Sequence, residues 1–478
     1  MLKRLYSVKR KLAFLLILSS VLFLIGSTPT FAVDSSYTCD LESMWRNECF
    51  LVPDTTNTQI GVNFYMHCVD VVKVGTTYYF YYIKYDASNK AGVGLATTTD
   101  GVNFTDQGQV LTAGAPYDTN FASFPGVFYE NGTFYLFYEG SGNQGSVICL
   151  ATSTNGKNFT KAANNPILKG TAGQWDYDGI GTPNIVKKDS TYYLFYHGYN
   201  GTDMQIGVAT GSSLSGTFTK YSGNPVVPCG PTGSYDCGTT GKRGIVYHNG
   251  LYYMAYEAST DGTTGSSGAD FSNSKWTTAF ARSSDLLHWY KYEQNPVLPI
   301  HDGFGNDATT ITNINGTNWV YYRDFAPNLA TRRAKLVNET NGGINLKWES
   351  ESLSHQIGRA DGDGWSANTA QDAAGWFAYG PYATNLPAGD MTAVFKMQTD
   401  NVTANNDALV KIDVYDATAG KVLAERTITR QQFKVAHHYE FMTLPFKNPT
   451  TGHQIEFRTY WYDKAYIKQD RVGVAWTN

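Results

Sequence analysis

Ionisable side chains recur at one position of a repeated aromatic segment in this sequence. The residues that end the five copies of the segment are Ile83, Glu139, His197, Glu257 and Arg323. Further candidate residues stand ahead of the segments, at His67, Asp70, Trp175, Asp176, Asp178, Lys242, Arg243 and Asp307. Two carboxyl groups in one pocket are able to cleave a glycosidic bond, because one protonates the leaving oxygen while the other acts as base or nucleophile. The carboxyl groups of both sets are therefore candidates for acid–base chemistry.

We assign the catalytic roles to Asp70, Asp178 and Glu257. The aromatic residues of YYMAYE surround Glu257 with apolar surface, which would raise its pKa and suit it to be the general acid. Asp70 would stay ionised as base or nucleophile, helped by His67 or Arg243, and Asp178 would orient the sugar. The residues assigned to substrate binding are His67, Glu139, Trp175, His197, Arg243, Asp307 and Arg323. The alternative is structural: polar strand ends emerge into solvent, and Asp70 is a hydrogen-bonded core residue.

The aromatic segment belongs to a longer repeat that predicts the fold. Its copies are YYFYYI, FYLFYE, YYLFYH, YYMAYE and NWVYYR, which begin at Tyr78, Phe134, Tyr192, Tyr252 and Asn318. They recur about every 60 residues, each between an apolar strand and a small-residue strand. Four short strands in each of five units predict a five-bladed β-propeller. The residue before each terminal position is always tyrosine (Tyr82, Tyr138, Tyr196, Tyr256 and Tyr322), which indicates a repeated structural slot.

The repeat is lost from about Trp348, where strands of alternating polarity such as VKIDVYDA and HQIEFRTYWYD follow one another. This pattern is typical of half-exposed antiparallel sheets and predicts a jelly-roll-like β-sandwich. The fold class is therefore all-β, with a signal peptide at 1–32, a propeller at 33–340 and a sandwich at 341–478. Aromatic residues in DGDGWSANTAQDAAGWFAYGPY would either bind carbohydrate or pack the sandwich core.

The first residues and the composition indicate an extracellular protein. A basic cluster precedes an apolar run from Leu12 to Ile25, which is shorter than the roughly 20 residues of a membrane span, and Ala32 would precede the cleavage site. We therefore expect a secreted or cell-surface protein without a membrane span. Charged residues make up only 16% of the chain, and a net charge of −4 without a basic run argues against nucleic acid as a partner.

The six cysteines are compatible with an oxidising compartment. We predict two short-range disulfides, Cys39–Cys49 and Cys229–Cys237, and place Cys68 and Cys149 in buried strands. Neither close pair has the CxxC spacing or a nearby histidine of a zinc site, so we predict no metal ion, and no cofactor is assigned.

Over residues 60–335 the sequence resembles the five-bladed β-propeller glycosidases, with glycoside hydrolase family 43 the most similar pattern. The resemblance rests on the repeat, on WDYDGIGTPNIV followed by YYLFYHG, and on the IGVAT and NPVV endings. It implies a base at Cys68, a second aspartate at Thr182 and an acid at Gly241, and none of these is carboxylic. Asp70 lies two residues beyond Cys68, on the same strand face.

Two functions follow from these observations. The first is a secreted glycoside hydrolase that cleaves an oligo- or polysaccharide with a rearranged set of carboxylates. The second is a non-catalytic propeller that only binds carbohydrate. A phosphorylase that holds phosphate with Lys242, Arg243 and Arg323 is a third option. The number of carboxyl groups expected in the pocket favours the hydrolase.

Overall fold

A computed structural model describes residues 39–54, 66–260, 274–302, 305–324 and 330–476 of the chain. The described part is built almost entirely of β-strands, so the predicted all-β class is confirmed. The predicted signal peptide lies outside the described residues. Within the described ranges no helix is long and apolar enough to cross a membrane.

The N-terminal segment contributes one short helix and one strand. Helix α1 spans Leu41–Trp45, and the Asp40 carboxylate caps it by accepting a hydrogen bond from Ser43 N at 2.7 Å. A disulfide joins Cys39 to Cys49, as predicted. Strand β1, Phe50–Pro53, follows directly.

The repeat forms five groups of four antiparallel strands, which we call blades 1 to 5. Blade 1 contains β2 (His67–Val74), β3 (Thr77–Tyr85), β4 (Ala91–Thr98) and β5 (Thr105–Leu111). Blade 2 contains β6 (Phe121–Glu130), β7 (Thr133–Gly142), β8 (Gly145–Ser153) and β9 (Thr160–Lys161). Blade 3 contains β10 (Gly179–Lys188), β11 (Thr191–Tyr199), β12 (Met204–Gly211) and β13 (Thr219–Lys220).

Blade 4 contains β14 (Thr239–His248), β15 (Leu251–Ser259), β16 (Lys275–Ser283) and β17 (Tyr290–Lys291). A two-residue strand, β18 (His301–Asp302), also pairs with β16. One parallel pair, Met204 with Thr239, joins blades 3 and 4 into a nine-stranded sheet. Blade 5 contains β19 (Asp307–Ile314), β20 (Thr317–Asp324), β21 (Ala330–Val337) and, as its outer strand, β1. The N-terminal strand thus completes the last blade.

The tyrosine of each second strand is a buried structural residue, as the repeat predicts. In blade 2 the Tyr138 hydroxyl donates a hydrogen bond to Asp118, and Lys161 pairs with the same carboxylate. In blade 3 Tyr196 and Lys220 meet Asp176 in the same way. These buried carboxylates are therefore paired within their own blades.

The C-terminal part folds as two packed antiparallel sheets, as predicted. The first sheet contains β22 (Leu346–Glu349), β23 (Arg359–Asp361), β24 (Gly364–Ala367), β27 (Gly389–Thr399), β30 (Glu440–Asn448) and β32 (Ile467–Ala475). The second contains β25 (Gly375–Ala378), β26 (Pro381–Ala383), β28 (Ala408–Asp416), β29 (Lys421–Thr429) and β31 (Ile455–Trp461). Two short 3-10 helices, η1 (Ser350–Ser352) and η2 (Arg430–Gln432), complete it. Inward residues such as Phe395, Ile412 and Trp461 form the core between the sheets.

From Cys39 onward the described residues form one compact unit in which the sandwich packs on blades 4 and 5. Phe50 and Val337 of blade 5 share an apolar cluster with Val394 and Phe441 of the sandwich. The change of fold lies between β21, which ends at Val337, and β22, which begins at Leu346. The boundary at 340 and the separability of the two parts remain predictions.

The predicted Cys229–Cys237 disulfide is wrong for this structure, where both residues are thiols. The Cys229 Sγ lies 3.4 Å from the Met204 carbonyl oxygen, whereas the Cys237 Sγ contacts the Thr260 carbonyl oxygen. The two side chains therefore face different strands of the sheet. Cys68 and Cys149 are buried in strands, as predicted.

Candidate active site

A β-bulge recurs in the innermost strand of every blade. The strand registers shift between His67 and Asp70, Ser123 and Gly126, Gly181 and Asn184, Thr240 and Arg243, and Asp307 and Thr310. The first unpaired residue has a positive φ in four blades, at Cys68 (51°), Phe124 (52°), Thr182 (44°) and Ala308 (52°). Positive φ is rare for such residues, and bulges often re-aim side chains beside functional sites. The bulges thus mark one level of the propeller where the predicted polar residues gather.

The predicted ends of the second strands lie at this level. Ile83, Glu139, His197 and Arg323 each pair with the residue that precedes a bulge. Glu257 lies opposite the bulge of blade 4, between the Tyr256 and Ala258 pairs.

Glu257 is held by the backbone of two blades. Its Oε1 accepts a hydrogen bond from Lys242 N at 2.6 Å, and its Oε2 accepts one from Ala308 N at 2.7 Å. The side chain is 8% exposed, and burial together with the nearby charge of Asp307 raises the pKa of the Glu257 carboxyl. A carboxyl group with a raised pKa keeps its proton and is suited to be a general acid.

Gly241 makes room for this carboxyl group. A Cβ atom at Gly241 would lie 2.3 Å from Glu257 Oε1, a distance that no side chain tolerates. The Glu257 carboxylate therefore occupies space beside the position to which the family resemblance assigns the acid. The same arrangement recurs at the bulge of blade 3, where a Cβ atom at Gly181 would lie 1.9 Å from Oε2 of Glu139 in blade 2.

Asp307 and Arg323 form a buried ion pair next to Glu257. The Arg323 Nε donates to Asp307 Oδ1 at 2.7 Å, and a second guanidinium nitrogen contacts Oδ2, so the pair is bidentate. The guanidinium thus balances the charge of the Asp307 carboxylate beside the Glu257 carboxyl group. Burial and the charge of Arg323 lower the pKa of His67 well below its usual value, so His67 is neutral here.

Asp70 connects three blades. Its Oδ2 accepts a hydrogen bond from Val127 N of blade 2 at 2.7 Å, and Asn184 Nδ2 of blade 3 lies 3.4 Å from Oδ1. Burial raises the pKa of Asp70, although the charge of Lys242 opposes the shift. Its oxygens are directed at neighbouring blades, which is the arrangement expected of a structural or positioning carboxylate.

Arg243 and Lys242 are fully buried between blades 3 and 4. The Arg243 NH1 and NH2 groups donate to Thr182 O at 3.0 Å and to Thr182 Oγ1 at 2.7 Å, and Lys242 Nζ donates to Arg243 O at 3.2 Å. Burial lowers the pKa of Arg243 to about 9. These contacts connect Arg243 to the bulge of blade 3, and its predicted contact with substrate remains a prediction.

Thr182 links the remaining predicted residues. Its N donates to Glu139 Oε2 at 3.2 Å, and its Oγ1 lies 2.8 Å from His197 Nδ1. Burial raises the pKa of Glu139 to about 7, whereas burial and the Arg243 charge lower the pKa of His197 to about 3. Glu139, His197 and Arg243 thus converge on Thr182, where the resemblance implies an aspartate.

Two predicted residues, Asp178 and Trp175, have their described contacts outside this cluster. Asp178 is exposed in the loop before β10, and its backbone N donates to Tyr199 O at 3.0 Å. Trp175 stacks on Tyr196 at 5.8 Å and covers Gly198 and Gly207, so it packs across blade 3. Its assignment to a sugar-stacking position remains a prediction.

Sequence reasoning missed the bulges and the contribution of Asn184. Pro125 and Pro183 stand at the second bulge position of blades 2 and 3, and proline inside a predicted inner strand is a signal for a bulge. Gly181 and Gly241 gave no local signal of their role, because the carboxyl groups beside them, those of Glu139 and Glu257, come from other strands.

Solved structures with a similar fold include three that are named as glycan-cleaving enzymes. A thermostable family-43 glycoside hydrolase is 20% identical, with a TM-score of 0.43 over 57% of this chain and 88% of that one. An exo-1,5-alpha-L-arabinanase from a bovine ruminal metagenomic library is 16% identical, with a TM-score of 0.43 over 56% and 91%. An endo-1,4-beta-xylanase from Bacteroides thetaiotaomicron VPI-5482 is 22% identical, with a TM-score of 0.42 over 57% and 90%.

The sequence itself matches one family. Residues 40–243 match the family described as Glycosyl hydrolases family 43, which confirms the predicted resemblance over blades 1 to 3 and the start of blade 4. No curated protein matches the chain. The family match supports glycosidase activity for this all-β propeller.

Proposed function

We propose that the chain is a secreted glycoside hydrolase in which Glu257 is the general acid and Asp307 is the base or nucleophile. The observation that carries this proposal is the position of the Glu257 carboxyl group beside Gly241, where the family resemblance implies the acid. Asp307 takes the role that the sequence suggested for Asp70. In this proposal Asp70 is a positioning residue whose carboxylate links blades 2 and 3, while the neighbouring Glu257 and Asp307 form the reacting pair.

The proposed reaction divides the work between the two carboxyl groups. Glu257 donates its proton to the glycosidic oxygen as the bond breaks, which avoids the release of an unstable alkoxide. Asp307, held in its ion pair with Arg323, either activates water or attacks the anomeric carbon. Burial and the charge of Asp307 raise the pKa of Glu257, which suits that carboxyl group to the role of general acid.

Substitution of each carboxyl group tests this assignment. We expect Glu257→Gln and Asp307→Asn to lower kcat by about three orders of magnitude with the fold retained. Asp70→Asn should instead lower the melting temperature more than it lowers kcat. The assay is reducing-sugar release from a polysaccharide panel that includes arabinan and xylan, with Glu425→Gln on exposed β29 as control. Full activity in both Glu257→Gln and Asp307→Asn would contradict the proposal.

The alternative function is a propeller that binds carbohydrate without cleaving it. The absence of a carboxylate at Cys68, Thr182 and Gly241 favours this reading. Retention on a polysaccharide without any release of reducing sugar, across the same panel, would support it. A phosphate site is less favoured, since Arg243 contacts Thr182 and Arg323 pairs with Asp307.

Secretion is part of the proposal. The basic N-terminus and apolar run resemble a signal peptide, and the Cys39–Cys49 bridge suits an oxidising compartment. N-terminal sequencing of the protein recovered from culture medium should begin near Val33. A chain that stays in the cell with its first residues intact would contradict this expectation.

A further inference from the structure

The outer face of the second sandwich sheet contains a cleft of about 460 Å³ that the proposed reaction does not use. Residues of β25, β26, β31 and the segment before β23 line it. The residues that matter here are His355, Trp376, Tyr379, Tyr382, Glu456 and Arg458. The cleft therefore combines aromatic rings with polar and charged groups.

The aromatic wall is packed against an ion pair whose charges balance. The Arg458 guanidinium lies 4.8 Å from the Trp376 ring and 4.0 Å from the Tyr415 ring, and its Nε donates to Asp413 Oδ1 at 2.6 Å. Tyr460 supports Trp376 edge-on at 5.4 Å. Because Asp413 offsets the charge of Arg458, the cleft has no uncompensated cation for an acidic ligand among these residues.

Glu456 supplies an unused acceptor. Its side chain is only 5% exposed, and Oε1 accepts no hydrogen bond from any residue that the structure describes. A buried acceptor without a partner is unfavourable, and a ligand hydroxyl would satisfy it. Tyr382 stands beside it: a hydrogen bond to the Glu456 carboxylate raises the pKa of the Tyr382 hydroxyl.

Tyr382 lines the cleft and has an unfavourable backbone conformation. The residue has a φ of 65°, which is unfavourable for a bulky side chain, and it is 46% exposed. Residues in such backbone conformations cluster at ligand-binding and active sites. Tyr382 and Trp376 thus offer two planar surfaces close to the unused acceptor.

We propose that this cleft binds a neutral polysaccharide and holds the enzyme on its polymeric substrate. The rings pack against the apolar C–H faces of sugar units, while Glu456 and Arg458 hydrogen-bond to their hydroxyl groups. The Glu456 carboxylate would repel an acidic polymer, which is why a neutral chain is favoured. The site does not depend on the proposed hydrolysis, because it lies on the sandwich and needs no catalytic residue.

Affinity electrophoresis in native gels tests the proposal with the full chain. The gels contain soluble arabinan, arabinoxylan or xyloglucan as neutral probes, or polygalacturonate as an acidic one. We expect at least one neutral polymer to retard the protein, and Trp376→Ala and Tyr382→Ala to weaken that binding at least tenfold. Tyr290→Ala is the matched control, because Tyr290 is 70% exposed on β17 of blade 4.

Each outcome decides the question. Retardation by no neutral polymer, or by polygalacturonate alone, would overturn the proposal, as would variants that migrate like the unchanged protein. Tyr382→Ala removes an exposed ring and should fold even if Trp376→Ala does not, and thermal melting checks both. A chain that is retarded but releases no sugar would contradict the proposed function and leave the polysaccharide site standing.

Discussion

The candidate active site depends on glycines that receive a carboxyl group from a neighbouring strand. Gly181 lies against Glu139 of the preceding blade, and Gly241 lies against Glu257 of its own blade. In both cases the glutamate also accepts a hydrogen bond from the backbone beside the bulge. A glutamate at the end of a second strand thereby reaches the level of the bulges.

The first prediction concerns Gly241→Ala. The added Cβ would lie 2.3 Å from Glu257 Oε1, so the carboxyl group must move away from the reacting bond. A displacement of about 1 Å lowers kcat by about 100-fold, with a smaller effect on KM. Gly216→Ala is the control, because its Cβ would meet nothing closer than 3.4 Å. Equal kcat in the two variants would show that Glu257 is not the acid.

The second prediction is a pH dependence of stability that arises from Glu139. Burial raises the pKa of Glu139 from 4.5 to about 7, so the folded chain holds a proton that the unfolded chain releases between these values. The contribution is complete below pH 4.5 and is lost as the pH rises through 7, by on the order of 3 kcal/mol. Glu139→Gln cannot titrate and should lack this loss.

Denaturant unfolding at pH 5 and at pH 8 measures the difference for both proteins. The free energy of unfolding should fall more steeply with pH in the unchanged protein than in Glu139→Gln. Parallel pH profiles would mean that Glu139 is ionised in the folded state.

Among the elements, the aromatic second strands were the most predictable. Their sequence repeats because each is buried on both faces between two blades, so Tyr138, Tyr196 and Tyr256 meet the same environment. The ionisable residues that follow these tyrosines, Glu139, His197 and Glu257, were found because they occupy the next position of the same repeat. Position along a strand is therefore readable wherever burial is periodic.

Other elements were not readable from the sequence. The four residues of β1 pair with β21, far away in the chain, and no local pattern indicates such a partner. The bulges place Asp70 against Val127 and Asn184 of two other blades, and no local pattern indicates these contacts. The cysteine spacing of CGPTGSYDC suggested a bridge, but the orientation of the two thiols depends on the sheet on either side of the loop.

The third prediction concerns the N-terminal element. The Cys39–Cys49 bridge closes a loop that contains α1 and leads directly into β1. In the chain-entropy model a loop with a separation of 10 residues contributes about 3 kcal/mol. The double variant Cys39→Ser/Cys49→Ser should therefore unfold at a lower temperature and lose β1 pairing first.

Cys229→Ser/Cys237→Ser is the matched control, since both thiols are free. Its melting temperature should change little, and peptide mapping without reductant should find only the Cys39–Cys49 bridge. A mapped Cys229–Cys237 bridge, or equal losses in the two double variants, would contradict this prediction.

At the scale of the whole molecule, the sandwich and the propeller share a buried polar network. Gln294 of the propeller is 1% exposed and donates to Asn47 Oδ1 at 2.6 Å and to Phe441 O at 3.0 Å. Its Oε1 accepts from Thr443 N at 2.8 Å and from Arg426 at 3.1 Å. The sandwich also reaches the candidate site, because Asp390 lies 3.3 Å from the Asn306 amide, next to Asp307.

The last prediction is that residues 33–340 fold alone but less stably than in the full chain. The blade cores lie within the fragment, which favours folding, whereas removal of the sandwich exposes Phe50 and Val337 and leaves Gln294 without its sandwich partners. A lost buried hydrogen bond destabilises by roughly 1–3 kcal/mol, so the fragment should melt several degrees lower than the full chain. Its kcat should also fall, because Asn306 loses its hydrogen bond to Asp390 beside the candidate site. Gln294→Ala in the full chain is the comparison, since it removes the polar network of Gln294 and keeps the apolar contact of Phe50 and Val337 with the sandwich. This variant should show part of the fragment's loss in melting temperature. An unfolded fragment would mean that the two parts are one folding unit, and an unchanged melting temperature would mean that the shared network contributes nothing to the propeller.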